Sequence, residues 1–278
     1  MPVTAQHRLA VLGSPIAHSR SPLLHSAAYE VLGLDWRYER IEVGADALGD
    51  LVRGLGPEWR GLSLTMPLKE AALPVAARMD DTSRIAGAGN TVVFDEGGPS
   101  LWNTDVEGIV GALRANGVGS VDDVVLLGTG ATARSALLAL ARLGARFVMI
   151  AGRTPANVDA AVVFAVSQGL ESRGSGLDFA DWPGADLVVS TLPAAAGISL
   201  PGVATSAALF DAAYGDRLST LAQQWTDAGG AGRVTDGVDM LVRQALLQVR
   251  AFVGGSPAVP LEREEAVLRA MLAAVGRS

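Results

Sequence analysis

Residues 121–153 read VDDVVLLGTGATARSALLALARLGARFVMIAGR. A buried strand is expected over 121–128, an amphipathic helix over 132–144 and a second buried strand over 146–153, which together make a βαβ unit. The turn inside it, Gly128-Thr129-Gly130-Ala131-Thr132-Ala133, has the GxGxxA form. Between strand and helix each residue type has a physical task. Gly128 permits the sharp turn, Gly130 lets backbone approach a pyrophosphate, and Ala133 is small enough for close helix–strand packing. The helix N-terminus adds unpaired N–H groups and the positive end of its dipole. The alternative is a glycine turn in a βαβ unit that binds nothing. The next strand ends in Ala151-Gly152-Arg153-Thr154. A ribose 2′-hydroxyl calls for Asp or Glu at that place, whereas a guanidinium and a hydroxyl suit a 2′-phosphate. NADP is therefore expected rather than NAD, unless Arg153 is simply a solvated residue at a strand end.

Outward from this unit, strands and helices keep alternating. Towards the N-terminus, strands are expected at 8–13, 36–43, in GLSLTMP up to Pro67, and at 90–94. Helices are expected from about Pro22 to Leu32, around 46–54 and over 68–78. Residues 105–117 form an amphipathic connector helix. Further strands fall at 185–193 and 208–214, then helices at 238–253 and 260–275. Such alternation predicts an α/β protein with mostly parallel sheets. Two α/β domains are expected: residues 1–104, joined by returning helices from 238–278, and a Rossmann-type domain over 105–237, with a cleft between them.

The composition narrows the function classes. A chain of 278 residues with net charge −7 and no basic run is a poor partner for nucleic acid or anionic membrane. The absence of cysteine excludes disulfides, thiolate catalysis and cysteine-ligated zinc, and the three histidines show no metal-binding spacing, so no metal is expected. The longest uncharged stretch, Leu187 to Phe210, contains Pro193, Gly197, Pro201 and Gly202, unlike a membrane span. The N-terminus carries no secretory pattern. A cytoplasmic enzyme, monomer or homodimer, acting on a small molecule is expected.

Of the 22 Lys and Arg residues only Lys69 is lysine. Arginine keeps its proton at any working pH, while lysine can exchange one, so the exception points to acid/base work; a surface lysine left by chance is the plain alternative. Ser19 and Ser21 precede a helix, two residues apart, so an extended loop would point both hydroxyls the same way, towards a carboxylate beside a positive helix end. Ordinary N-capping by Ser21 explains the pair equally. Asn90 and Asp105 could bind hydroxyls and orient an ammonium, or serve as turn and cap residues.

Together the motifs GSPIAHSRSPLLH, LTMPLK, AGAGNTVV, NTDVEG, GTGATA, GRT, STLP and GVDMLVRQA resemble the shikimate dehydrogenase family over nearly the entire chain. The resemblance implies reversible, NADPH-dependent reduction of 3-dehydroshikimate to shikimate in aromatic amino-acid biosynthesis. It implies that Ser19 and Ser21 hold the substrate carboxylate with Tyr214 beside it. Thr65, Asn90, Asp105 and Gln244 would bond ring hydroxyls, and Lys69 and Asp105 would form the catalytic pair. Gly128, Thr129, Gly130, Ala131, Arg153, Thr154 and Thr191 would bind NADP, with Gly237 and Met240 at the nicotinamide. His18 and His25 match the motif without catalytic duty.

Three positions depart from the family pattern. Ser63 stands where Asn is usual, Asn157 where a second basic residue is common, and Asp216-Arg217 where prolines are usual. The competing readings are a sister enzyme that oxidises quinate or uses NAD, and a non-catalytic NADP-binding relative.

Overall fold

A computed structural model of the chain describes residues 7–178, 184–200, 206–215 and 217–277. It divides into two compact units, one made of the described residues up to Thr104 and from Leu241 onward, the other of Asp105–Met240.

The first unit opens with β1 (Arg8–Gly13), α1 (Ser21–Leu32), β2 (Arg37–Glu42), α2 (Leu48–Arg53) and β3 (Trp59–Leu64). It continues with α3 (Leu68–Ala71), β4 (Arg78–Met79), α4 (Asp81–Ala86), β5 (Thr91–Asp95) and β6 (Gly98–Trp102). Local chemistry sets several ends. Pro22 stands in the first turn of α1, and Gly33, left-handed at φ 68°, closes it by donating to the carbonyls of Tyr29 and Glu30. Asp80 caps α4 by accepting from the Ser83 N–H at 2.9 Å.

The helix expected over 68–78 stops at Ala71. Pro74 has no N–H to continue it, so the chain tightens into a 3₁₀ turn, Leu73–Val75, and enters β4. The sheet is mostly parallel, as expected, with one strand reversed. Its order is β2-β1-β3-β5-β6-β4. β1 runs parallel to β2 and β3, but β5 is antiparallel to both β3 and β6. The β5–β6 hairpin turns where the Asp95 carboxylate accepts from the Gly97 N–H at 2.7 Å and Gly98 takes φ 88°.

The second unit holds α5 (Asp105–Ala115), β7 (Asp123–Leu127), α6 (Ala131–Arg142), β8 (Phe147–Ala151), α7 (Pro155–Ser167) and β9 (Glu171–Ser175). It continues through β10 (Leu187–Ser190), β11 (Ala208–Asp211), α8 (Thr220–Asp227) and β12 (Val234–Asp236). All six strands are parallel, in the order β9-β8-β7-β10-β11-β12. This is the doubly wound order, which reverses between β7 and β10. Val124, Val125, Leu126, Leu127, Leu187, Val188 and Val189 are fully buried, as strands covered on both faces require.

α9 (Gly237–Gly254) starts in the second unit and continues into the first, followed by α10 (Glu264–Ala274), which packs on α1. Within the first unit Phe252 packs on Gly61 of β3, where a Cβ would come 2.4 Å from its ring. Among the described residues no helix is long and apolar enough to cross a membrane. Asp216 lies outside the described residues, and Arg217 is exposed.

Candidate functional site

The glycine turn sits where the order of the parallel sheet reverses, the place at which open α/β sheets bind ligands. Gly128 has φ 111°, and a Cβ there would lie 2.3 Å from Thr191 Oγ1. Both the conformation and the room therefore demand glycine. Thr191, just past β10, is fixed beside the turn, its N–H and hydroxyl donating to the Leu127 carbonyl at 2.9 and 3.0 Å. Gly130 precedes α6 and supplies no side chain to cap it, while a Cβ there would meet nothing within 4 Å. Open backbone and first-turn donors on a helix axis fit a pyrophosphate.

Arg153 and Thr154 are exposed at the end of β8, beside that turn. Thr154 occupies the N-cap position of α7 without a side-chain cap bond. Gly152 has to be glycine as well, because a Cβ would lie 2.9 Å from Val158 and 3.0 Å from Thr129. Elsewhere in this unit Met240 is buried, Tyr214 is half-buried in the segment after β11, and Gly237 presses on that segment. A Cβ on Gly237 would come 2.3 Å from the Ala212 carbonyl oxygen.

In the first unit Ser19 and Ser21 are both buried and their hydroxyls meet at 3.3 Å. The loop is turned rather than extended: the Ser19 N–H donates to Ile16 O, and Arg20 takes helical angles. Ser21 does not cap α1. Arg20 holds the cap position without a side-chain bond, and Ser21 is the first helical residue, its N–H reaching Ser19 Oγ at 3.3 Å. Simple capping by Ser21 therefore does not explain the pair.

Backbone bonds tie the segments carrying Thr65 and Lys69 to that of Asn90. The Leu64 N–H donates to Asn90 O at 2.8 Å, and the Gly89 N–H to Lys69 O at 2.9 Å. Asn90 Nδ2 donates to Gln244 Oε1 at 3.0 Å and to Thr104 Oγ1 at 2.9 Å, and its Oδ1 accepts from the Thr104 N–H at 2.9 Å. Asn103 donates to Ala88 O at 2.9 Å, anchoring the same segment. Asp105, next in the chain after Thr104, is buried at the start of α5 and belongs to the second unit.

Sequence reasoning missed a polar chain behind these groups. Tyr38 OH donates to Ser63 Oγ at 2.6 Å, and Ser63 Oγ donates to Gln248 Oε1 at 2.8 Å. Gln248 Nε2 donates to Asn90 O at 2.9 Å and Thr91 Oγ1 at 3.0 Å. The short reach of Ser63 is thus met by Gln248. Its signal was faint: a second glutamine one helical turn after Gln244, on the same face of α9.

His25 joins this chain. Gln248 Oε1 must accept, because its amide nitrogen donates, so His25 Nε2, at 3.3 Å, carries the proton and Nδ1 takes one from Tyr29 OH at 3.2 Å. The ring stacks on Tyr38 at 4.0 Å, and burial lowers its pKa from 6.5 to about 3. Between those values the unfolded chain holds a proton at this imidazole that the folded chain lacks. Its contribution to stability is full above pH 6.5 and is lost as pH falls towards 3. In urea titrations stability should fall with acidification more steeply than in a His25→Gln variant, by about 1.4 kcal/mol per pH unit within that window. Equal slopes would show that the ring charges without unfolding.

If the two serines hold a carboxylate, Ser19→Ala or Ser21→Ala should weaken substrate binding by about 1–2 kcal/mol, roughly five- to thirtyfold, and leave dinucleotide affinity alone. Calorimetry with each ligand separately reads both numbers. Unchanged substrate affinity in both variants would leave the pair as a loop support.

The chain is similar to known proteins over most of its length. A family model for the shikimate dehydrogenase substrate binding domain matches residues 11–92. The shikimate dehydrogenase (NADP(+)) of Citrifermentans bemidjiense is 33% identical over 279 residues, covering 92% of this chain and 93% of that protein. The crystal structure of Mycobacterium tuberculosis shikimate dehydrogenase superposes with a TM-score of 0.81 at 38% identity, covering 96% of this chain and 99% of that one. The shikimate 5-dehydrogenase of Thermus thermophilus in complex with NADP(H) and shikimate does so with a TM-score of 0.81 at 31% identity, covering 97% and 100%.

Proposed function

The chain belongs to the shikimate dehydrogenase family, and we propose that it catalyses the reversible, NADP-dependent interconversion of 3-dehydroshikimate and shikimate. One observation carries this reading beyond the family. The lone lysine accepts through its backbone carbonyl from the Gly89 N–H, which joins its segment to the one carrying the Asn90–Gln244 amide pair, and those amides suit ring hydroxyls as a lysine suits proton exchange.

NADPH, when bound, supplies the hydride that the substrate's C3 carbonyl carbon receives. Gly128, Gly130, Ala131, Arg153 and Thr154 are the residues suited to hold it, with Thr129 and Thr191 beside the turn and Gly237 and Met240 towards the nicotinamide. Ser19 and Ser21 hold the carboxylate, assisted by Tyr214. Asn90, Gln244 and Thr65 orient the ring. The Lys69 ammonium gives its proton to the alkoxide oxygen as the C–O double bond becomes single, and takes one back in the oxidation direction. Asp105 keeps that ammonium charged and oriented.

Shikimate is favoured over quinate, because the extra C1 hydroxyl of quinate needs room at a pair of buried serines. The decisive experiment is a spectrophotometric assay that crosses shikimate and quinate with NADP and NAD. Turnover is expected chiefly with shikimate and NADP. Faster oxidation of quinate, or equal use of both cofactors, would favour the sister enzyme, and no turnover at all would favour a dinucleotide-binding protein without catalysis.

A further inference from the structure

β2 presents alternate residues to the loop that carries Ser19. Tyr38, Arg40 and Glu42 share one face of the strand, since side chains alternate with a period of two. Each reaches a different serine. Tyr38 bonds Ser21 and Ser63, the two Arg40 nitrogens take the Ser19 carbonyl, and Glu42 accepts from Ser14 Oγ at 3.1 Å.

The Arg40 contact is the most specific of the three. Nε and Nη2 both donate to the same oxygen, at 2.8 and 2.6 Å. That carbonyl precedes α1 and lies outside its ladder, whose first carbonyl acceptor is Arg20. The other Ser19 groups are held too, its N–H by Ile16 O and its Oγ by the Ser21 N–H. Removing the fork frees the one side of Ser19 that nothing else in the loop restrains.

We propose that Arg40 is a positioning residue for the substrate carboxylate: its guanidinium fork fixes the Ser19 peptide so that the Ser19 and Ser21 hydroxyls face the ligand together. The inference rests on the carboxylate reading of those serines. Its mechanism is geometric. A lysine at 40 keeps the charge but offers one donor direction at a time where arginine offers a rigid pair.

The test uses the full-length enzyme with Arg40→Ala and Arg40→Lys variants, steady-state kinetics in shikimate and in NADP, and calorimetric titration of shikimate. Arg40→Ala should raise the shikimate KM about ten- to a hundredfold, with kcat and the NADP KM held within about twofold. Arg40→Lys should still raise it at least about fivefold. Arg40→Lys also serves if the alanine variant fails to fold. A lysine variant within twofold of the unmutated enzyme would overturn the inference in favour of charge alone, and so would an alanine variant with unchanged KM. If the unmutated protein neither binds nor turns over shikimate, the functional reading itself fails, which separates the two errors.

Discussion

Replacing Lys69 by arginine should lower shikimate turnover by about 10²–10⁴-fold, the usual range for losing a positioned proton donor. The substitution is informative because it separates chemistry from charge. Arginine preserves a cation in α3, so a residue that merely attracts an anionic substrate would keep most of its activity. It cannot release its proton near neutral pH, so a residue that protonates an alkoxide would lose nearly all. NADP affinity should stay constant, because the dinucleotide turn belongs to the other unit. Asp105→Asn is the companion variant, retaining shape while removing the charge proposed to support the ammonium. Its defect should not add to that of Lys69→Ala in the double mutant, since paired groups act as one. Near-normal turnover in Lys69→Arg would falsify the acid/base role.

Truncation of Arg153 to alanine should raise the NADP KM roughly ten- to a hundredfold while leaving any use of NAD almost unchanged. The reasoning is one of differential contact. A charge-assisted bond to phosphate is worth about 1.5–3 kcal/mol, and NAD has no 2′-phosphate with which to make it. Arg153 is exposed just past β8, and Asn157, the place at which a second basic residue would have stood, is exposed in the first turn of α7. The effect should therefore fall on Arg153 and not be spread over two residues. Asn157→Arg should tighten NADP further. A matching loss with NAD would mean that Arg153 supports the turn rather than reads the phosphate.

Most of the second unit was legible in the amino-acid order. Strands β7, β8 and β10 are continuous apolar runs, and the glycines between them have few other uses. Other elements gave no such rhythm. α7 carries apolar residues on all sides, with Val163 and Val166 exposed, and so shows no helical period. β9, with the sequence ESRGS, is a polar edge strand without alternation. In the first unit the β5–β6 hairpin was missed because its turn lies inside a short, partly polar stretch. The antiparallel pairing that follows from it cannot be read from element order alone.

The site divides in the same way. Ser19, Ser21, Lys69 and Asn90 stand in compact motifs, which is what singles them out as candidates in the sequence. Tyr38, Arg40, Ser63 and Gln248 act through partners as far as 223 residues away in sequence, a separation at which spacing holds no information and only the fold creates the contact.

The discontinuity of the first unit bears on how the protein is made. Gln244 on Asn90, the hub Gln248, and Phe252 against Gly61 all come from a segment that follows the second unit. Domains tend to fold as they leave the ribosome, and here the dinucleotide unit is complete first, while the earlier-synthesised sheet waits with β3 uncovered and Ser63 without its glutamine. The binding surface for the small molecule is thus the last part of the enzyme to mature. A nascent chain released a few dozen residues early would keep a whole nucleotide fold and have no finished substrate unit.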